Sequence, residues 1–333
     1  MALVSTNVRE AGELLKVGQL VAIPTETVYG LAANALDSKA VAAIFAAKDR
    51  PTFDPLIVHV KSLDSMSDYV TNIPEKARQL AEAFWPGPLT LLLPKKSIIP
   101  DLVTSGLPTV GLRVPHHPLT LELLQMLEFP LAAPSANPFG YISPTTAQHV
   151  QEQLGDKIPF ILDGGECLVG IESTIVSFEQ ETPRILRLGG LRSEDIESMI
   201  GSVEFNLYSS SSPLAPGMLK SHYAPRKPLY LHSKKEMADR ELDAEIGYLF
   251  FTKPRHVALH ENCLVLAEQS IETLSNNGLT NSLFLQAAQN LFGYLRKLDA
   301  SPVKEIWVEI LPEIDLGRAI NDRLRRAAVS REL

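Results

Sequence analysis

Between Thr6 and about Leu191 the chain alternates short β-rich apolar runs with segments of helical periodicity, which restricts it to an α/β domain on a sizeable sheet. Strand patterns fall at 20–24, 56–60, 89–93, 109–114, 130–133, 160–162, 173–178 and 184–188. Helix signals lie between them: Thr6 or Asn7 opens the first helix and Gly18 closes it, and Ser38 caps a helix over 39–48. Ser143 followed by Pro144 predicts another helix start, a cap with a first-turn proline.

With 333 residues the chain exceeds the usual single domain, so a second core is expected. Between 206 and 227 the pattern changes to a serine run with Pro213, Pro216, Gly217 and Pro225, a composition that suits an extended connector. This gives a first domain over 1–205, a connector over 206–227 and a smaller α/β domain over 228–333. The last has strands near 246–251 and 306–311 and helices near 281–298 and 317–328.

Composition removes several classes. No apolar run approaches the roughly 20 residues of a membrane span, and the N-terminus reads as an amphipathic helix without a signal-peptide pattern, so a cytoplasmic location is expected. Cys167 and Cys263 are too far apart in sequence for a C-x-x-C site and give no disulfide framework. No protein-held metal is expected. A formal charge of -8 disfavours general binding to a nucleic-acid backbone, although Arg323, Arg325 and Arg326 form a small basic cluster.

The common nucleotide fingerprints G-x-x-x-x-G-K-[ST] and G-x-G-x-x-G are absent. A nucleotide would have to be held by side chains and irregular loops. Pro24 to Gly30 places two hydroxyls, a carboxylate and a phenol at a strand end, either a ligand floor or a polar turn. Lys48 and Arg50 end a helix whose C-terminal dipole welcomes cations, while Pro51 stops the helix and leaves both at a loop mouth. Capping and a polyphosphate grip are both open there.

His59 alternates away from the face of Leu56, Val58 and Val60, as a structural histidine or as a hydrogen-bonding group for a small substrate. Arg113, alone on an apolar strand, needs an anion, either a substrate carboxylate or an acidic side chain. Ser135 and Asn137 sit between two prolines in a stiffened loop, for positioning or for the turn itself. Ser143 is either a plain N-cap or part of a phosphate-binding helix start. Ser173 is expected to face a ligand while Ile175 packs inward, and Arg187 adds a cation before Gly189 and Gly190.

Taken in order, PTETVYGL, KDRP, PLIVHV, FWPGPLTLLL, VGLRVP, APSAN, SPTTA, LDGG, ESTIV and ILRLGG resemble the YrdC-like family across nearly all of the first domain. The segment from Pro216 to Pro225 and the run from Ala319 to Leu324 resemble its long, two-domain form, the L-threonylcarbamoyladenylate synthases. The resemblance implies a twisted mixed sheet with flanking helices and a smaller Rossmann-like α/β C-terminal domain.

The resemblance also implies synthesis of L-threonylcarbamoyl-adenylate and pyrophosphate from L-threonine, bicarbonate or CO2 and ATP with Mg²⁺. The adenylate would pass to the machinery that modifies tRNA adenosine. By motif, Lys48, Arg50, Ser135 and Asn137 match the catalytic elements. Thr109, Ser143, Arg187 and Tyr223 join Arg50 and Ser135 at the ATP positions, and Thr27, His59, Arg113, Ala133 and Ser173 match the threonine pocket. Two departures stand out: Asp49 replaces a small residue, and Asp54 replaces an asparagine that contacts ATP, so that its carboxylate acts there directly or through magnesium. The competing readings are an RNA-binding module of the same fold, with Arg323, Arg325 and Arg326 as its patch, and a carbamoyltransferase relative. The latter predicts zinc-finger and acylphosphatase segments that the sequence lacks.

Overall fold

The computed structural model describes residues 1–208, 213–254, 259–268 and 277–328, without the side chains of 277–281. The serine run at 209–212 lies outside the described residues. Contacts divide the chain into two compact units. One comprises Met1–Phe139, Ser143–Leu168 and Glu172–Leu219, and the other Gly140–Ile142, Val169–Ile171 and Lys220–Leu333. The expected connector thus parts after Leu219, its described residues before that point belonging with the first unit.

The first unit holds β1 (Leu3–Ser5), β2 (Val21–Ile23), β3 (Gly30–Asn34), β4 (Ile57–His59), β5 (Leu89–Pro94) and β6 (Thr109–Arg113). It continues through β7 (Leu131–Ala132), β8 (Phe160–Leu162), β9 (Thr174–Ser177), β10 (Arg184–Arg187) and β11 (Glu204–Phe205). They form one mixed sheet in the order β1-β8-β2-β3-β7-β4-β6-β5-β9-β10-β11.

Helix starts follow local hydrogen bonding. Asn7 caps Val8–Lys16 by accepting from the Glu10 amide, as expected. Asp37, one residue ahead of the expected Ser38, caps Ser38–Lys48. The helix predicted from Ser143 begins later, at Ala147, with Thr146 as its cap. The reason is that the Pro144 carbonyl accepts from the Tyr29 amide and the Ser143 hydroxyl donates to Glu172, which holds the segment against the loop after β2.

Strand register sorts the side chains by face. Ile57 lies opposite Gly111 and His59 opposite Arg113 across β4 and β6, Leu92 opposite Gly111 across β5, Thr90 opposite Ile175, and Ile175 opposite Arg187. Directly opposed residues, and residues two apart on a strand, share a face. One face of the sheet therefore carries Ile57, His59, Thr90, Leu92, Thr109, Gly111, Arg113, Ile175 and Arg187. Ser173, just ahead of β9, falls on the same side as Ile175, which corrects the expectation that the two point apart. A register shift between Ile185 and Arg187 forms a bulge, the local device that re-aims a side chain.

At one end that face is covered by the helices Val8–Lys16 and Pro118–Met126, through Val8, Ala11, Leu15, Leu123 and Leu124 on Val21, Ile23, Ala32 and Leu131. At the other, Leu214, Ala215 and Met218 pack on Ile57, Leu92, Ile175 and Leu186. Thr90 and Thr109 line a cleft with Leu214, Ala215 and Pro216, and Arg187 donates to the Pro216 carbonyl at 3.2 Å.

The second unit is a four-stranded parallel sheet, β12 (Leu229–His232), β13 (Ile246–Thr252), β14 (Cys263–Ala267) and β15 (Glu305–Glu309), in the order β12-β15-β13-β14. Helices Asn277–Ala300 and Leu316–Ala328 accompany it. The basic cluster expected near its C-terminus is not a surface patch. Arg323 and Arg326 are 1% exposed and paired with Asp322, and only Arg325, bonded to Glu313, reaches solvent. Among the described residues no helix is long and apolar enough to cross a membrane.

Candidate active site

The K-x-R and S-x-N elements meet through one buried cation. Lys48, the last residue of its helix, is 1% exposed and donates to the carbonyl of Ser135 at 2.5 Å and to that of Asn137. In return the Phe139 amide donates to the Lys48 carbonyl at 2.9 Å. Helix end and loop are thereby fixed to each other. Asp49 closes the helix in the left-handed conformation, φ 52°, and its carboxylate pairs with Lys157 at 2.9 Å. Desolvation, then the Arg50 charge, hold Lys48 well below the usual lysine range, with Asp54 opposing.

Arg50 donates through Nε and Nη2 to the carbonyls of Asp54 and Pro55 at 3.1 and 2.8 Å, and its guanidinium lies 5.7 Å from the Phe139 ring centre. The Asp54 carboxylate approaches it at 2.9 Å and is fully buried. Burial pushes the Asp54 carboxyl up, against the pull of Arg50, Lys48 and Arg187. Three cations therefore act on one carboxylate at the site where phosphate is expected.

Arg187 is held by Ser173, donating from Nε to its carbonyl and from Nη2 to its hydroxyl at 3.0 and 3.1 Å, and by the Pro216 carbonyl at 3.2 Å. The Ser173 hydroxyl also shares a 2.8 Å hydrogen bond with Thr90. Ser143 donates to Glu172 at 2.6 Å. Thr109 is buried with its hydroxyl unpaired, beside a cleft of about 10 Å³ walled in part by Leu214, Ala215 and Pro216. That volume suits one water at most. A nucleotide at Thr109 requires those three residues to move.

Around the expected amino-acid pocket, Arg113 donates to the Gly87 carbonyl at 3.1 Å and pairs with Glu26 at 2.8 Å. The acidic side chain that sequence left open as its partner is thus present. His59, opposite Arg113, is 3% exposed, and burial with the Arg113 charge lowers its pKa to about 3, so it is neutral. Thr27 shares a 2.8 Å hydrogen bond with Thr25, whose hydroxyl also accepts from the Thr27 and Val28 amides in a tight turn. The Ala133 amide donates to the Ile57 carbonyl at 3.0 Å.

The structure ties Lys48 to Ser135 and Asn137, Arg50 to Asp54 and Arg187 to Ser173, with the Lys48 and Arg187 charges also acting on Asp54, and sets His59 opposite Arg113. Tyr223 belongs to the second unit, where it is 2% exposed, stacked 5.8 Å from Phe292 and beneath Arg323 at 5.4 Å. Sequence reasoning gave no role to Thr90 or Glu172, and Glu26 entered only as the carboxylate of the ligand floor or polar turn over Pro24 to Gly30. Thr90 was findable as the lone hydroxyl in an apolar strand, and Glu26 as a carboxylate in a buried turn.

Fold and site together define a two-unit α/β protein whose larger sheet presents a cation-rich polar end. The Sua5/YciO/YrdC family model, described as "Telomere recombination", matches residues 13–189, and the model "Threonylcarbamoyl-AMP synthase, C-terminal domain" matches 191–329. The threonylcarbamoyl-AMP synthase of Pyrococcus abyssi is 41% identical over 326 residues, 96% of this chain and 94% of that protein. That of Bacillus subtilis is 39% identical, covering 98% and 95%. The crystal structure of P. abyssi Sua5 complexed with L-threonine superposes with a TM-score of 0.86 at 37% identity, covering 98% of each chain. The chain belongs to the Sua5/YciO/YrdC family, in its two-domain form with the Sua5 C-terminal domain.

Proposed function

We propose that this protein is an L-threonylcarbamoyl-adenylate synthase, a nucleotidyltransferase acting in the cytoplasm to supply tRNA threonylcarbamoyl transfer. The observation that carries the reading is the tie from Lys48 to the Ser135 and Asn137 carbonyls, which joins a cationic loop to a hydroxyl-amide loop beside Arg50 and Asp54. The names of the P. abyssi and B. subtilis relatives and the threonine complex of P. abyssi Sua5 support it.

In this reading the threonine amine combines with bicarbonate to give a carbamate and water. A carbamate oxygen then attacks the α-phosphorus of ATP, and pyrophosphate leaves. Arg50, Lys48 and Arg187 meet the charge that builds on the leaving group, and Arg113 holds the threonine carboxylate so that the nucleophile is aligned. Neutral His59 and Thr27 hydrogen-bond the threonine hydroxyl. A site built to bond that hydroxyl rejects valine far more strongly than an apolar pocket does.

Magnesium fits as an ion carried by the nucleotide. Among the described residues no three His, Cys, Asp or Glu side chains are gathered to hold one. An ion bound by phosphates and one or two carboxylates needs no such group, and Asp54, whose carboxylate oxygens make no hydrogen bond, is the carboxylate beside Lys48 and Arg50. When bound it would neutralise phosphate charge.

The test is pyrophosphate release by the pure protein with L-threonine, bicarbonate and ATP. Release should vanish when any one of the three is withheld; release independent of threonine would reject the reading.

A further inference from the structure

Glu26 has no part in the reaction as described, yet its surroundings are unusual. It is 4% exposed. One carboxylate oxygen, Oε2, accepts from the His116 amide at 2.9 Å and lies 2.8 Å from Nη2 of Arg113. The other, Oε1, is buried and makes no hydrogen bond, and Nη2 of Arg113 likewise meets its neighbour as a charge contact without an aligned hydrogen bond. Beside them opens a cavity of about 350 Å³ lined by Thr25, Glu26, His116, His117, Leu119 and Gly164 among others. An unmet acceptor on Glu26 and an unmet donor on Arg113 therefore sit side by side, and of the two Glu26 lines the cavity.

Leaving a buried carboxylate oxygen unpaired costs free energy unless a ligand supplies the donor. An α-amino acid carries its ammonium and its carboxylate about 3 Å apart, so a receptor for both must place an anion and a guanidinium next to each other, as Glu26 and Arg113 are placed. Resting on the reading above, in which Arg113 takes the carboxylate, we propose that Glu26 is the ammonium-binding residue of the amino-acid site. It would bind the substrate through Oε1 and thereby select α-amino acids over hydroxy acids of the same shape. The pair does this by sharing the zwitterion between them, with Gly87 and the His116 amide fixing the orientation of each partner.

The experiment compares L-threonine with 3-hydroxybutyrate, which keeps the carboxylate and hydroxyl and lacks the amine, by calorimetric titration of the full chain. The unaltered protein should bind threonine at least tenfold more tightly. In Glu26→Gln that ratio should fall towards one while ATP affinity stays within about twofold. An equal loss for both ligands in Glu26→Gln would mean that Glu26 only props Arg113, and overturns the proposal. Should Glu26→Gln not fold, Glu26→Asp is read the same way, with a reduced ratio expected and an unchanged one overturning. Equal affinity of the unaltered protein for both ligands also rejects the role. No threonine binding at all, with ATP still bound, would reject both this proposal and the functional reading, whereas an unchanged ratio in a threonine-binding variant rejects only the former.

Discussion

At the scale of single residues, Lys48 is a fully buried side chain that donates hydrogen bonds to two backbone carbonyls. Lys48→Met keeps the length and removes both donors. Each buried carbonyl left without its partner costs about 1–3 kcal/mol, so with two of them orphaned chemical denaturation should show a loss of about 2–6 kcal/mol, together with at least a tenfold fall in turnover. His59 makes a separate prediction about acid. Its folded pKa of about 3 lies below the 6.5 of an unperturbed histidine, so the unfolded chain binds the extra proton between those values. The stability contributed by neutral His59 is thus lost as pH falls through that window, at up to about 1.4 kcal/mol per unit. Stability of His59→Gln should decline less steeply between pH 6.5 and 5, measured by urea unfolding. In sequence His59 and Arg113 stand out as polar groups set in apolar strands, and Lys48 as a cation at a helix end ahead of Pro51. Their partners do not: nothing local tells that Lys48 reaches Ser135 across 87 positions, or that Arg113 meets Glu26.

At the scale of elements, the approach of two loops depends on one glycine. A Cβ on Gly189 would lie 2.3 Å from the Glu172 carbonyl oxygen and from the Ser173 backbone. No side-chain adjustment relieves a clash with backbone. Gly189→Ala should push the loop after β10 away from Ser173, loosen the Arg187 hydrogen bonds to it, and cost about 1–3 kcal/mol. Thermal unfolding with and without ATP would show both a lower midpoint and a smaller nucleotide shift. Strands with β-branched, alternating sequence, such as 109–114, were readable. β3 was missed because Gly30, Leu31, Ala32, Ala33 and Asn34 carry little strand propensity and are fixed by pairing with β2 and β7. Ser143 misled for the opposite reason: a good cap sequence lost to tertiary hydrogen bonds to Glu172 and Tyr29.

At the scale of the whole molecule, the connector is not a neutral tether. Leu214, Ala215 and Met218 complete an apolar cluster on the first unit's sheet, and Leu214 and Ala215 also wall the cleft at Thr109. A chain ending after Leu219 should therefore unfold at a higher temperature than one ending at 208, because only the longer piece keeps that cluster buried. Equal midpoints would remove the connector from the first unit's core. The proline-rich stretch marks a change of pattern over 206–227, whereas the division after Leu219 depends on packing that composition does not encode. Adenylate synthesis requires threonine and the α-phosphoryl group of ATP to end in one molecule. The direct measurement supplies ¹⁴C-threonine, bicarbonate and α-³²P-ATP to the full chain and separates the products. Both labels should co-migrate in a single adenylate that fails to form with Arg50→Ala. ³²P found only in AMP, or ¹⁴C never joined to it, would contradict the account.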